Sequence, residues 1–286
     1  MLPLNATLQQ TRSFLEIELR KRYPEGEAAS VTRHILEHVG YPVTRLLMEP
    51  SNRPGTTILS QIKEIVAEIN TGRPIQYILG YTYFLDMKIS LNDHVLIPRP
   101  ETEEMVYRIR KSQEIDPGRI LDLGAGSGCI ALALKKCYPN SYVAGVENSK
   151  DALKVAMQNS RFHRLHIDWI VADMLKGSTV NFPGQLDLMV SNPPYVRESE
   201  RFRMRSNVLD FEPHEALFVS DDDPLIFYSA IISIAEEALS SNGVIWVEIN
   251  ENLGNETSRI FESAGFRQVT VIQDIHGKER FIRAAR

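Results

Sequence analysis

At 286 residues, with 43% hydrophobic and 24% charged side chains, the chain has room for one large domain and one small one. A net charge of −5 and a pI of about 5.9 provide no global basic field to draw it onto nucleic-acid backbones. The opening residues Met1-Leu-Pro-Leu-Asn-Ala-Thr7 hold no long apolar stretch and no run approaches membrane-spanning length, so a cytoplasmic protein without a membrane partner is expected.

Residues 1 to 80 form a predicted helical bundle. Apolar residues recur at helical spacing in Thr7 to Arg22, in Ala28 to His38 and in Ile58 to Ile69. Gly40 and Pro42 stop the second of these, and Arg73-Pro-Ile-Gln-Tyr-Ile-Leu-Gly80 closes the bundle. Tyr81-Thr-Tyr-Phe-Leu-Asp-Met-Lys-Ile89 has the aromatic and β-branched character of a hairpin, and residues 81–100 are expected to link the bundle to a domain over 101–286. In Leu96-Ile-Pro-Arg-Pro-Glu-Thr-Glu103, Thr102 is placed to cap the following helix, whose first turn carries Glu103 and Glu104.

From about residue 118 strands and helices alternate, which predicts a largely parallel sheet with helices on both faces. Ile120-Leu121-Asp122-Leu123 runs into Gly124-Ala125-Gly126-Ser127-Gly128 and then a helix from Cys129 to Lys136. That strand–glycine-loop–helix unit holds nucleotide-like cofactors, because glycine permits positive φ and close backbone approach. The alternating G-x-G-x-G spacing departs from the dinucleotide G-x-G-x-x-G, and no Walker lysine follows. Cys129 and Cys137 fall on this one helix, about 12 Å apart, too far for a disulfide. The seven histidines are scattered and His163 and His166 lack a matching ligand pair, so no metal is expected.

Two acids follow. Glu147 ends the strand Tyr142 to Val146, 19 residues beyond Gly128, close to the offset of the acid that binds ribose hydroxyls in this fold class. Asp173 follows the strand Ile167 to Ala172, where a carboxylate can accept from an adenine amino group. The next strand, Leu186 to Val190, leads to Asn192-Pro193-Pro194-Tyr195. Prolines have fixed φ and no N–H, so their carbonyls are free acceptors. Asn192 adds an acceptor oxygen and Tyr195 an aromatic face, a stiff cup suited to a planar NH2 group. Turn chemistry alone also favours Asn and Pro. The ordered set at successive strand ends, however, is where open α/β sheets bind ligands, and it reads as a site for S-adenosylmethionine.

Residues 195 to 224 show little periodicity, which in a compact domain marks functional or mobile segments. This stretch carries Arg197, Arg201, Arg203 and Arg205, a solvated face or a contact for an acidic or RNA-associated partner. The remaining strands are expected at Val244 to Ile249, Gln268 to Ile272 and Arg280 to Ile282.

Taken together, the chain resembles the peptide chain release factor glutamine methyltransferases of the HemK/PrmC family over nearly its whole length. The resemblance rests on Arg73 to Gly80, Ile97-Pro-Arg-Pro-Glu-Thr102, Asp122 to Gly128, Ser191 to Tyr195, Phe211-Glu-Pro213 and Asp274-Ile-His-Gly-Lys-Glu-Arg280. It implies a Rossmann-like, seven-stranded α/β methyltransferase domain that uses S-adenosylmethionine, preceded by a small helical-bundle domain that helps hold the substrate protein. It implies methylation of the side-chain amide of the glutamine in the Gly-Gly-Gln loop of release factors, with no nucleic acid required. Gly124 to Gly128, Glu147, Asp173, Met174 and Asn192 are then the cofactor residues. Asn192, Pro193, Pro194 and Tyr195 are the catalytic and substrate-binding ones. The chain departs from the family pattern at Glu147 (commonly Asp), at Met174 (often larger), and at Asn250 and Leu253, where Gly and a later Gln are usual.

Three other readings stay open. Enzymes that methylate exocyclic amines of DNA or RNA bases use the same cup, but the acidic pI and the lack of a long basic or aromatic-rich recognition domain weigh against them. Glutamine methylation of a ribosomal protein shares the chemistry and differs only in partner. A ribosome-associated binding module without turnover would share only the fold.

Overall fold

The computed structural model describes residues 2–112, 116–176 and 184–286. They divide into two compact units. One runs to Gly80 and takes in Ser206–Phe211, and the other comprises Tyr81–Arg205 and Glu212–Arg286.

The first unit holds α1 (Leu8–Leu19), α2 (Glu25–His38), α3 (Val43–Met48), α4 (Thr56–Thr71) and α5 (Ile75–Leu79). Thr7 starts α1 with a capping box: its side chain accepts from the Gln10 N–H while the Gln10 side chain accepts from its own. In α4, Leu59, Ile62, Ile65, Val66 and Ile69 recur every three or four residues on the buried face. The helix stops where Gly72 turns to φ +99°. These side chains meet Leu8, Leu15 and Ile35 in one apolar core. The six-residue α3 buries none of its side chains and is too short to leave a periodic signal.

The second unit opens with the hairpin β1 (Tyr81–Phe84) and β2 (Met87–Ser90). It continues with α6 (Pro100–Ser112), β3 (Arg119–Leu123), α7 (Cys129–Cys137), β4 (Tyr142–Glu147), α8 (Lys150–His163), β5 (Asp168–Val171) and β6 (Leu186–Ser191). Next come the two-residue strand β7 (Val196–Arg197), α9 (Ser206–Phe211, grouped with the first unit) and β8 (Phe218–Val219). The chain ends with α10 (Ile226–Ala238), β9 (Leu239–Glu248), α11 (Gly254–Ser263), β10 (Arg267–Gln273) and β11 (Glu279–Ala285). One expectation is corrected here: α6 begins at Pro100, a residue pre-organised for a first turn, so Thr102 lies inside the helix rather than at its cap. Its side chain is buried, 2% exposed.

The main sheet has seven strands in the order β10-β11-β9-β6-β3-β4-β5. Its five strands from β9 to β5 are parallel, while β11 pairs antiparallel with both β9 and β10. The inner strands are buried almost throughout, as parallel strands covered on both faces must be. Side chains alternate across the sheet. Leu121 and Leu123 therefore join Tyr228, Ile231 and Phe261 of α10 and α11 in one core. Asp122, pointing the other way, accepts from the Ala131 N–H of α7 at 3.0 Å. Strand order reverses between β3 and β6, and a doubly wound sheet opens its ligand crevice at such a point, beyond the carboxyl ends of the strands.

Candidate active site

Leu123 and Ser191, the last residues of β3 and β6, are register partners, and Ser191 Oγ donates to Leu123 O at 2.6 Å. Paired strands lie about 4.8 Å apart. The glycine loop and the Asn192–Tyr195 segment consequently leave the sheet side by side.

Gly124, Gly126 and Gly128 take φ values of +73°, +54° and +80°. Most L side chains are strained there, which explains the alternating glycines. The N–H groups of Gly124 and Ala125 both donate to Val146 O at 2.9 Å, closing the loop against β4. At Gly126 no atom lies within 4 Å of the position a Cβ would take, whereas on Gly128 a Cβ would sit 2.7 Å from Trp169 Cη2. The first keeps an approach open; the second permits close packing.

Glu147 braces the loop, its Oε2 accepting from Gly126 N–H at 2.8 Å and its Oε1 from Ser149 N–H at 2.9 Å. Asp173 Oδ1 accepts from Leu175 N–H at 3.0 Å, and its Oδ2 lies 3.2 Å from Lys176 Nζ. Met174 lies over the loop, its Cε 3.4 Å from where a Cβ on Gly124 would be. A single cavity of about 250 Å³ is lined by Gly124, Ala125, Gly126, Ser127, Glu147, Asp173 and Met174, together with Asn192 and Pro194. Gly128, Pro193 and Tyr195 stand off its wall. Gly128 packs against Trp169, Pro193 is buried, and Tyr195 points its hydroxyl at Glu248.

Two side chains that the local sequence does not mark as functional complete the cup. Asn192 Nδ2 donates to Thr102 Oγ1 at 3.0 Å, and Thr102 Oγ1 donates to Glu248 Oε2 at 2.8 Å. Tyr195 Oη donates to Glu248 Oε1 at 2.8 Å. Burial pushes the Glu248 carboxyl above the usual carboxylate range, against the pull of the hydrogen bonds from Thr102 and Tyr195. Burial, reinforced by Glu248, likewise holds the Tyr195 hydroxyl well above 10. Thr102 and Glu248 are 146 residues apart, so no spacing pattern could have joined them. The only signal was Thr102's place in the Pro-Arg-Pro-Glu-Thr segment.

Asn250 backs the same cup. Its Nδ2 donates to Tyr195 O at 3.0 Å and to Glu200 Oε2 at 2.7 Å. Burial opposes ionisation of Glu200, but hydrogen bonds from Arg197 and Asn250 bring its carboxyl down to about 2. Arg197 pairs with Glu200 at 3.0 Å, while Arg201 pairs with Glu198 at 3.3 Å and lies over the Phe218 ring. Much of the arginine group is thus spent on acids of its own segment.

The cavity's chemistry suits S-adenosylmethionine. Gly126 leaves room for a ligand against the backbone, Glu147 and Asp173 offer carboxylates for hydroxyl and amino donors, and Met174 adds a polarisable wall. Residues 102–210 match the family model described as the methyltransferase small domain. A release factor glutamine methyltransferase of Flavobacterium psychrophilum is 40% identical over 242 residues, covering 83% of this chain and 84% of that one. That of Enterococcus faecalis is 32% identical over 275 residues, covering 96% and 95%.

The chain belongs to the release factor glutamine methyltransferase family. A solved methyltransferase from Pyrococcus furiosus shares the fold at a TM-score of 0.53 and 15% identity, covering 77% of this chain and 96% of that one. The hydrogen bond from Asn250 to Tyr195 O gives that residue a structural task beside the cup. Among the described residues no helix is long and apolar enough to cross a membrane.

Proposed function

We propose that this chain transfers the methyl group of S-adenosylmethionine to the side-chain amide nitrogen of the glutamine in the Gly-Gly-Gln motif of peptide chain release factors. The observation that carries the reading is one cavity lined by both the glycine loop and Asn192, in a chain of this family.

Bound S-adenosylmethionine supplies an electrophilic methyl carbon on a sulfonium. In this reading the backbone from Gly124 to Gly128 holds its amino-acid end, Glu147 takes the ribose hydroxyls, and Asp173 and Met174 border the adenine. An amide nitrogen is a poor nucleophile because its lone pair is delocalised into the carbonyl. Asn192, whose Nδ2 is held by Thr102, accepts one N–H of the substrate amide on Oδ1, and the Pro193 carbonyl accepts the other. Pro194 and Tyr195 fix its plane. These hydrogen bonds strengthen as positive charge develops on nitrogen, so they favour the transition state over the ground state. Alignment of nitrogen and methyl carbon supplies much of the remaining acceleration. The nitrogen sheds its proton to solvent after transfer, so the cup needs no strong base.

Residues 1–80 serve to hold the release factor, 81–100 join them to the catalytic part, and 101–286 carry the chemistry. The work is done in the cytoplasm, where release factors act. The test is mass spectrometry of a release factor incubated with the chain and S-adenosylmethionine. One added CH2 on the Gly-Gly-Gln glutamine is expected. Methyl transfer to DNA, RNA or a ribosomal protein with none on the release factor would overturn the reading.

A further inference from the structure

Thr102 and Glu248 have no place in the mechanism as stated, yet they are buried against it, 2% and 1% exposed. Their hydrogen bonds have a direction. Glu248 acts as the acceptor on both oxygens, from Tyr195 Oη and from Thr102 Oγ1 at 2.8 Å each. A threonine hydroxyl has one hydrogen. Once that hydrogen is committed to Glu248, the oxygen has only lone pairs to offer Asn192. It can therefore meet the amide NH2 and not the amide oxygen, as it does at 3.0 Å. The opposite flip of Asn192 would set two acceptors face to face with no hydrogen between them.

We propose that Thr102 and Glu248 are positioning residues that fix the flip of the Asn192 carboxamide, so that Oδ1 and not Nδ2 is presented to the substrate amide. The inference rests on the function proposed above. It adds a reason for one side chain to serve both ends of the cup: Glu248 orients Asn192 through Thr102 and holds Tyr195 directly. It also explains why a buried acid sits at the end of β9, next to β6. Val247 and Ser191 are register partners across those strands, which brings Glu248 beside the residues that follow Ser191.

Two substitutions at Thr102 separate shape from hydrogen-bond polarity. Thr102→Val keeps the shape and loses the hydroxyl; Thr102→Ser keeps the hydroxyl and loses a methyl group. With a release factor as substrate, Thr102→Val is expected to lower kcat by about tenfold or more, the scale at which loss of an oriented polar group acts on a transition state. KM for the release factor and Kd for S-adenosylmethionine should stay within about threefold of wild type, because valine keeps the shape of the cavity wall that Thr102 forms and the lost orientation is felt chiefly in the transition state. Thr102→Ser should recover most of kcat. Glu248→Gln, whose amide can donate to Thr102 and reverse the chain, should fall with Thr102→Val. The serine and valine variants decide the matter if the glutamine variant does not fold. A valine variant with wild-type kcat, or a serine variant as slow as the valine one, would overturn the positioning role. Failure of the wild-type chain to methylate the release factor would instead overturn the function on which it rests.

Discussion

Asp122 carries an unusual load for one residue. It is fully buried, its Oδ2 accepts from Ala131 N–H, and its Oδ1 has no hydrogen-bond partner. Burial pushes its carboxyl from 3.8 up to about 7, Glu147 pushes the same way, and the Ala131 N–H opposes them. A raised carboxyl favours the protonated fold, so this contribution to stability is complete below the ordinary value and is lost as pH rises towards 7. Asp122→Asn keeps an acceptor for Ala131 and cannot ionise. Measured by urea unfolding without cofactor, it should gain on the wild type between pH 5 and pH 8, by on the order of 2 kcal/mol. A stability difference that does not change with pH would contradict this.

At the scale of elements, two segments far apart in sequence are clasped beside the cavity. Glu212, buried, accepts from Ile97 N–H at 3.2 Å and from Arg99 Nη2 at 2.8 Å. Pro98, Arg99 and Pro213 all line the cavity. Glu212→Ala leaves both donors without their partner, at a cost of about 1–3 kcal/mol in thermal unfolding. It should also weaken S-adenosylmethionine binding several-fold in calorimetry. Glu212→Gln, which retains an acceptor, should do less, and an unchanged affinity in the alanine variant would refute the clasp. The elements most legible in sequence were those with local causes, such as α4 with its inward stripe and Gly72 stop, or β3 and β6 with their largely apolar residues. The short elements between Val196 and Val219 had no such signal. Several of their contacts are long-range, among them Asn250 to Glu200 and Ser199 to Asp221. The strand β11 was expected at Arg280 to Ile282, but its antiparallel direction was not, since direction is set by pairing with β9 and not by its own residues. Thr102 shows the same limit within the site. Its cap-like setting was visible locally, but its partners lie 90 and 146 residues away.

For the molecule as a whole, strand order does the decisive work. The reversal between β3 and β6 sets the glycine loop and the Asn192 cup side by side at the carboxyl ends of the strands, where a methyl donor and an amide acceptor can meet. The residues of both halves were legible because each follows its own strand; their adjacency came only with the register. The most direct measurement is single-turnover methylation of a release factor by Asn192→Ala, with S-adenosylmethionine affinity measured in parallel. The account predicts a rate lower by about 10²–10³ with cofactor affinity within a few-fold of wild type, the magnitude for removing one oriented hydrogen-bonding group. Wild-type turnover by that variant, with normal cofactor binding, would contradict it.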